Sequence, residues 1–401
     1  MIETDQLVHE PARTAGVVPE VAIALSGGGY RAMLFHTGVL WRLGQWGFFS
    51  GRPLARLDGA GHSIDVGPLA RVSSVSGGSL VSAMLGLAYP NLRALAGTAF
   101  DDAFQNEVVT PVRRLAGITL AGKSALGAWQ VIKNVFLPGS VNEHIARAYD
   151  RHLYRGKTLQ DLPDDVRFVI NASNLQSGAL WRFSRPFMRD WRVGEVRNPD
   201  VRLAVAVGAS SAFPPVLAPA ELSLRETDYT PQSGDGLQHA PFTTHPTLAD
   251  GGVYDNLGLE TCYKRCMTLF VSNAGKPFEP LPSPSRNWAS IGARCIDVMD
   301  NQVLAQRKRL LVDALRSQQR YGAFWDIQQD IAKHPCQPRL PCPPARTLQL
   351  ATVDTDLAKK ASALQERLIN WGYASADAAV RSWFNASYPA ATDFPYPAAK
   401  V

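Results

Sequence analysis

The sequence predicts an α/β domain. Apolar runs of strand length alternate with stretches at helical spacing. Two of those runs, Val21–Leu25 and one that ends near Val75, lead into glycine-rich turns followed at once by helical residues. The chain of 401 residues is also 46% hydrophobic and 19% charged, which supplies a large core and argues against disorder.

Residues 1–19 read as a polar lead-in, with neither the basic start nor the apolar centre of a secretory signal. Val21–Leu25 is a buried strand, and Ser26-Gly27-Gly28-Gly29 is the turn after it. A helix is expected from about Tyr30 to Gly44, because Met33, Leu40 and Leu43 approximate its repeat. Residues 50–68, rich in Gly, Pro and Asp, form a loop; the second strand ends near Val75, and a second helix begins after Gly78. From about 95 to 160 the chain mixes Phe104, Val108, Leu115, Trp129 and Phe136 with glycines and basic residues, so a helical insertion or cap is expected, with core packing as the plainer reading. Arg167–Ala172 and Trp181–Phe183 flank a turn-like Asn-Leu-Gln-Ser-Gly and predict a hairpin.

Leu203–Gly208 is a further apolar segment, 222–246 an exposed excursion, and Met267–Ser272 a buried strand. A long helix should run from Ile291 to about Tyr321. After the proline-rich break at 335–345, Thr347–Val353 reads as a late strand, with helices through about Phe384. The expected organisation is a lead-in (1–19), a main domain (20–275) and a mainly helical region (276–401) packed on it.

A net charge of +6 favours anionic partners such as an acidic lipid surface. Nucleic acid is not expected, since the densest basic run, Arg307-Lys308-Arg309, reads as a solvated helix face. Of five cysteines, Cys262 and Cys266 lie four apart, but no second ligand pair accompanies them, so no metal is expected. Cys336 and Cys342 are near enough in sequence to bridge, yet the odd total fits a reducing compartment. The uncharged stretches Val72–Leu92 and Leu203–Ala220 are interrupted by Ser, Gly and Pro, which suits buried core better than a membrane span. A soluble cytoplasmic protein with peripheral membrane contact is the expectation; the oligomeric state is not legible.

Three glycines at a strand-to-helix turn let backbone N–H groups converge on an anion, aided by the helix dipole. Either a phosphate or the oxyanion of acyl transfer fits such a nest. Gly27, Gly29 and Ala32 match the dinucleotide pattern, but the acid that should end the second strand is missing: the first acid after the glycines is Asp58, in a loop.

Ser73-Ser74-Val75-Ser76-Gly77-Gly78-Ser79 has the form of a nucleophile elbow, with Ser76 on a strained turn and small residues, Ser74 and Gly78, two positions either side. None of the eight histidines stands where a triad base belongs; His36 falls inside the first helix, and only His334 lies beyond residue 250. Asp250, followed by Gly251 and Gly252, is the better base, provided it touches the serine and is desolvated enough to gain basicity.

Gly-Gly-Gly-x-Arg, the small-x-Ser-x-Gly elbow, the block Gly208–Pro215 and Asp-Gly-Gly, in that order, together resemble the patatin-like phospholipase family over about residues 21–275. The resemblance implies a three-layer α/β/α sheet domain with helical additions and hydrolysis of acyl esters in membrane phospholipids or other lipids, without cofactor or metal. It implies Ser76 as nucleophile, Asp250 as its base, and Gly27, Gly28 and Gly29 as oxyanion donors. Arg31 would steady the loop or meet a head group, with Gly78 and Gly251 in support. Ala32 and Ser74 depart from the family, which usually has Gly at both places. The competing readings are a nucleotide-binding α/β protein using the Gly27–Gly29 loop and a non-catalytic lipid-binding effector.

Overall fold

The computed structural model describes residues 18–58, 60–121 and 140–401. Strand β1 (Val18–Leu25) leads into helix α1 (Gly29–Gln45), and a small hairpin, β2 (Ala55–Leu57) and β3 (Ser63–Asp65), precedes β4 (Leu69–Val75) and α2 (Gly77–Leu92). Helices α3 (Gly97–Phe104), α4 (Thr110–Ala116) and α5 (Ser140–Tyr149) fill the stretch expected to be helical; residues 122–139, with Trp129 and Phe136, lie outside the described residues. There follow β5 (Arg167–Asn174), β6 (Leu180–Phe183), β7 (Phe187–Asp190), β8 (Gly194–Arg197), α6 (Leu203–Ser210), β9 (Ala220–Glu221) and β10 (Thr247–Asp250). The chain closes with α7 (Gly252–Asp255), α8 (Glu260–Tyr263), β11 (Cys266–Asn273), α9 (Trp288–Arg316), β12 (Tyr321–Asp326), α10 (Pro344–Ala351) and α11 (Ser362–Trp383).

The main sheet runs β12-β11-β1-β4-β5-β6-β7-β8. Its first five strands are parallel, and β6 to β8 form an antiparallel meander. Side chains of β1 alternate between two buried clusters, as the two-residue repeat of a strand requires. Val21, Ile23 and Leu25 enter the larger core, shared with α1, α2 and α11, while Ala22 and Ala24 meet Leu257, Leu259, Cys262 and Leu311 on the opposite face. Helices therefore cover the sheet on both sides, giving the three-layer α/β/α arrangement. Helix α11 lies directly on α1: a methyl group on Gly38 would stand 1.8 Å from the Ile369 carbonyl oxygen, so only glycine admits this backbone contact.

Several expectations are corrected. Thr347–Val353 is not a strand: most of it belongs to α10, which starts on Pro344, a residue suited to a helix's first turn, and buries Thr347, Leu350 and Ala351 on one face. The long helix ends at Arg316, and Tyr321–Asp326 turns back as the edge strand β12, burying Ala323 and Trp325. Residues 276–401 thus extend the sheet as well as covering it. Leu203–Gly208 is helical, and β7 and β8 went unread because four-residue strands carry little pattern. Cys336 and Cys342 are not bridged, and all five cysteines are free. Among the described residues no three metal-ligating side chains cluster, and no helix is long and apolar enough to cross a membrane.

Candidate active site

The site forms where two strands meet end to end along one edge of β5. Strand β4 runs parallel to β5 as far as Val75, opposite Asn171; β10 runs antiparallel and places Asp250 opposite Ala172, the next residue along. Ser76, one step beyond Val75, is thereby brought to the Asp250 carboxyl, and the two side chains interact.

Ser76 leaves the sheet with φ 50° and ψ −118°, a conformation that costs a non-glycine residue energy and must be held by its surroundings. Its N–H donates to Ser210 Oγ at 2.9 Å, and its carbonyl accepts from Ser79 N–H at 2.9 Å. Below the elbow, Ser79 Oγ lies 2.9 Å from Ser210 Oγ and donates to Ser74 Oγ at 3.1 Å, which in turn donates to the Val169 carbonyl. That series accounts for Ser74 in place of the smaller residue: its hydroxyl is fully used. Asn171 Nδ2 braces the same strand end, donating to Ser73 Oγ and the Ser74 carbonyl, both at 2.9 Å.

Asp250 is held at every backbone group. Its N–H donates to the Ala212 carbonyl at 2.8 Å, its carbonyl accepts from Ser173 Oγ at 2.8 Å, and Gly251 N–H donates to the Ser210 carbonyl. The carboxyl is buried and accepts from Gly252 N–H at 2.7 Å. Burial pushes its pKa up to about 7 from an ordinary 3.8; the Gly252 amide and the Ser76 side chain pull the other way, and the negative charge of Asp300 on α9 adds to the rise.

The tri-glycine turn passes directly over this pair. A methyl group on Gly77 would stand 2.1 Å from the Gly29 carbonyl oxygen, and one on Gly27 would stand 3.2 Å from Ser76 Cβ. Gly28 has φ 139°, which side chains rarely adopt. Three free amides were expected here, but Gly27 N–H donates to the Asn256 carbonyl at 3.1 Å. The amides of Gly28 and Gly29 have no hydrogen-bond partner among the described residues. Gly78 and Gly251 lie against backbone carbonyls of Leu25 and Asn171, where any larger residue would collide.

Arg31 is wholly buried and does not face solvent. Its guanidinium donates to the carbonyls of Ala351, Val353 and Ala274 at 2.6, 2.9 and 2.7 Å, tying the glycine turn to the C-terminal segment. Burial lowers its pKa to about 10, against the opposing pull of Asp326 and Asp354.

His36 is a core residue. Nε2 faces the Ser26 carbonyl at 3.0 Å and so carries the proton, while Nδ1 accepts from Ser272 Oγ at 2.9 Å. Burial depresses its pKa to about 3, so the ring is neutral. Asp58, the acid weighed for nucleotide binding, accepts from the Ala60 and His62 amides and shapes a hairpin turn. Sequence reasoning missed the parts played by Ser210 and Asn256. Ser210 lay inside the Gly208–Pro215 block, but nothing local distinguishes it from Ser211.

A mixed sheet covered by helices on both faces, with a strained serine and a desolvated carboxyl brought together at its strand ends, defines a three-layer α/β/α protein with a candidate site at that point. The model of the patatin-like phospholipase family matches residues 23–263, and the chain belongs to that family. No curated protein sequence matches the chain. Among solved structures it is similar to human GIVD cytosolic phospholipase A2 in complex with methyl gamma-linolenyl fluorophosphonate inhibitor and terbium chloride, at 15% identity and TM-score 0.44, covering 90% of this chain and 57% of that one. It is also similar to VipD from Legionella pneumophila, at 12% identity and TM-score 0.32, covering 86% of this chain and 66% of that one. The family assignment rests on the family model, since these structural likenesses are distant.

Proposed function

We propose that this chain is a serine lipid acyl hydrolase that cleaves fatty acyl esters, of the phospholipase A or lysophospholipase type, through a Ser76–Asp250 dyad. The observation that carries the reading is a buried carboxyl, raised to about 7, interacting with a serine on a strained strand-to-helix turn. An ordinary aspartate is too weak a base for a serine hydroxyl; one near neutrality is matched to its task.

In the first half-reaction Asp250 takes the Ser76 proton as Oγ attacks the ester carbonyl. Charge then develops on the carbonyl oxygen, and the amides of Gly28 and Gly29 are the donors to meet it; Gly27 keeps the turn in shape through Asn256. The alcohol or lysolipid departs with the proton, leaving an acyl ester on Ser76 that water hydrolyses. Arg31 holds the loop from behind.

The substrate is proposed to be met at a lipid surface. Helix α9 buries Leu311 and packs the partly buried Leu304 and Leu315 on one face, and turns Trp288, Ile296, Met299 and Val303 outward at helical spacing. Trp288 is 85% and Met299 61% exposed, and Val253, three residues after Asp250 in the chain, and Phe213, next to Ala212, are exposed too. Apolar side chains around a site of this kind suit a bilayer surface.

Defined phospholipids and neutral glycerides incubated with the protein, with products identified by mass, test the reading. Free fatty acid should appear, and Ser76→Ala and Asp250→Asn should each abolish it while the fold persists. Undiminished release by Ser76→Ala would refute the proposal.

A further inference from the structure

Asn256 stands just after α7, six residues beyond Asp250 in the chain. Its backbone carbonyl accepts the Gly27 amide hydrogen at 3.1 Å, which takes one of the three glycine amides out of the nest. Its carboxamide, by contrast, has no hydrogen-bond partner among the described residues. Asn256 is half-buried, so a ligand that enters the site can reach it. The polar side chains around it are already engaged. Asn273 donates from Nδ2 to Asp326 Oδ2 at 2.8 Å and accepts at Oδ1 from the Gly275 amide at 3.1 Å, and Arg31 is spent on three carbonyls.

The glycines around the carboxamide fix its place. A methyl group on Gly27 would stand 2.5 Å from Asn256 Oδ1 and 3.2 Å from Ser76 Cβ, so the amide and the serine approach Gly27 from the same side. A methyl group on Gly252 would stand 2.8 Å from Asn256 Oδ1 and 3.0 Å from Asp250 Oδ1. The end of the Asn256 side chain therefore lies between the serine turn and the Asp250 carboxyl.

Oδ1 faces this point and Nδ2 lies towards Gly275. Since no partner holds either end, a half-turn about the Cβ–Cγ bond exchanges them without breaking a hydrogen bond. Ionisation of Asp250 favours that exchange, because a carbonyl oxygen beside a carboxylate is repelled and an N–H is attracted. The form of the site that is ready to react is thus the one that turns a donor towards Ser76.

We propose that Asn256 Nδ2 is a third donor to the ester carbonyl oxygen as Ser76 attacks, standing in for the Gly27 amide that its own backbone engages. The inference rests on the reading of Ser76 as nucleophile. A neutral amide donor strengthens its hydrogen bond as charge builds on the oxygen, and so acts on the transition state more than on bound substrate.

Asn256→Ala and Asn256→Leu, the second close to asparagine in shape, test this. Both keep the backbone carbonyl that holds Gly27, and thermal melts establish that each is folded. On a short-chain nitrophenyl ester kcat should fall about a hundredfold, with KM within about threefold and the midpoint of the pH profile unmoved. A trifluoromethyl ketone, which forms a charged hemiketal on a serine, should bind more weakly by about the same factor as kcat/KM falls. The matching ether, which cannot react, should bind within about threefold. Unchanged kcat in both folded variants would overturn the donor, and equal weakening of ketone and ether would make Asn256 a general binding residue instead. Activity restored at a shifted pH would make it a group that only tunes Asp250. If the unsubstituted protein neither hydrolyses the ester nor prefers the ketone to the ether, the reading of Ser76 itself fails and the role of Asn256 falls with it.

Discussion

Ser210 donates nothing to Ser76 but accepts its amide hydrogen at 2.9 Å, and the carbonyl of the same Ser210 accepts the Gly251 amide hydrogen. One residue at the end of α6 therefore holds the serine turn with its side chain and the Asp-Gly turn with its backbone. Ser76 and Asp250 come from strands of opposite direction, and Ser210 is a point where their spacing is set.

Ser210→Ala leaves the Ser76 amide buried without an acceptor, at a cost of about 1–3 kcal/mol. The serine turn also loses a restraint on a strained backbone, so kcat should fall roughly ten- to hundredfold. Substrate affinity should change little, because Ser210 lies beneath the site. Steady-state kinetics beside a thermal melt check both effects.

The pH response follows from Asp250. Its carboxyl is held to about 7 in the fold against 3.8 ordinarily, so between those values the folded protein keeps a proton that the unfolded chain has lost. Stability from this group is fully present below the unfolded value and is lost as pH rises through about 7. Activity, which needs the ionised form, should rise over the same range, half-maximal near 7. Asp250→Asn cannot ionise, so its melting temperature relative to the unsubstituted protein should climb by a few degrees between about pH 5 and pH 8.5, reflecting roughly 2–3 kcal/mol. A constant difference across that range would show that Asp250 is not desolvated.

The outward face of α9 predicts a separation between surface binding and chemistry. Met299→Asp places a charge among Trp288, Ile296 and Val303, on a face of the helix away from its core-packed leucines. Sedimentation with vesicles containing acidic phospholipid should fall several-fold, whereas hydrolysis of a water-soluble short-chain ester should stay within about twofold. Equal loss of both would place Met299 in the catalytic machinery instead.

The two residues of the proposed dyad were legible as candidates because both sit on turns whose chemistry is local: a serine among small residues after a strand, and an aspartate before two glycines. What the sequence hid is tertiary. Whether Gly27 offers its amide depends on Asn256, far along the chain, and whether Arg31 faces solvent depends on carbonyls at 274, 351 and 353. The sheet edge was lost for a similar reason: β12 is a short strand beside a long helix, and its pairing with β11 decides its state more than its own pattern does. Thr347–Val353 failed the other way, since β-branched residues suggested a strand while Pro344 and the packing of Leu350 made a helix.

The central claim is that Ser76 is a nucleophile made reactive by Asp250, and active-site labelling tests it most directly. A fluorophosphonate probe should modify the intact protein once, with the adduct mapping to Ser76 after digestion. Labelling should vanish in Ser76→Ala and fall at least a hundredfold in rate in Asp250→Asn. An adduct on another residue, or full-rate labelling without the Asp250 carboxyl, would contradict the account.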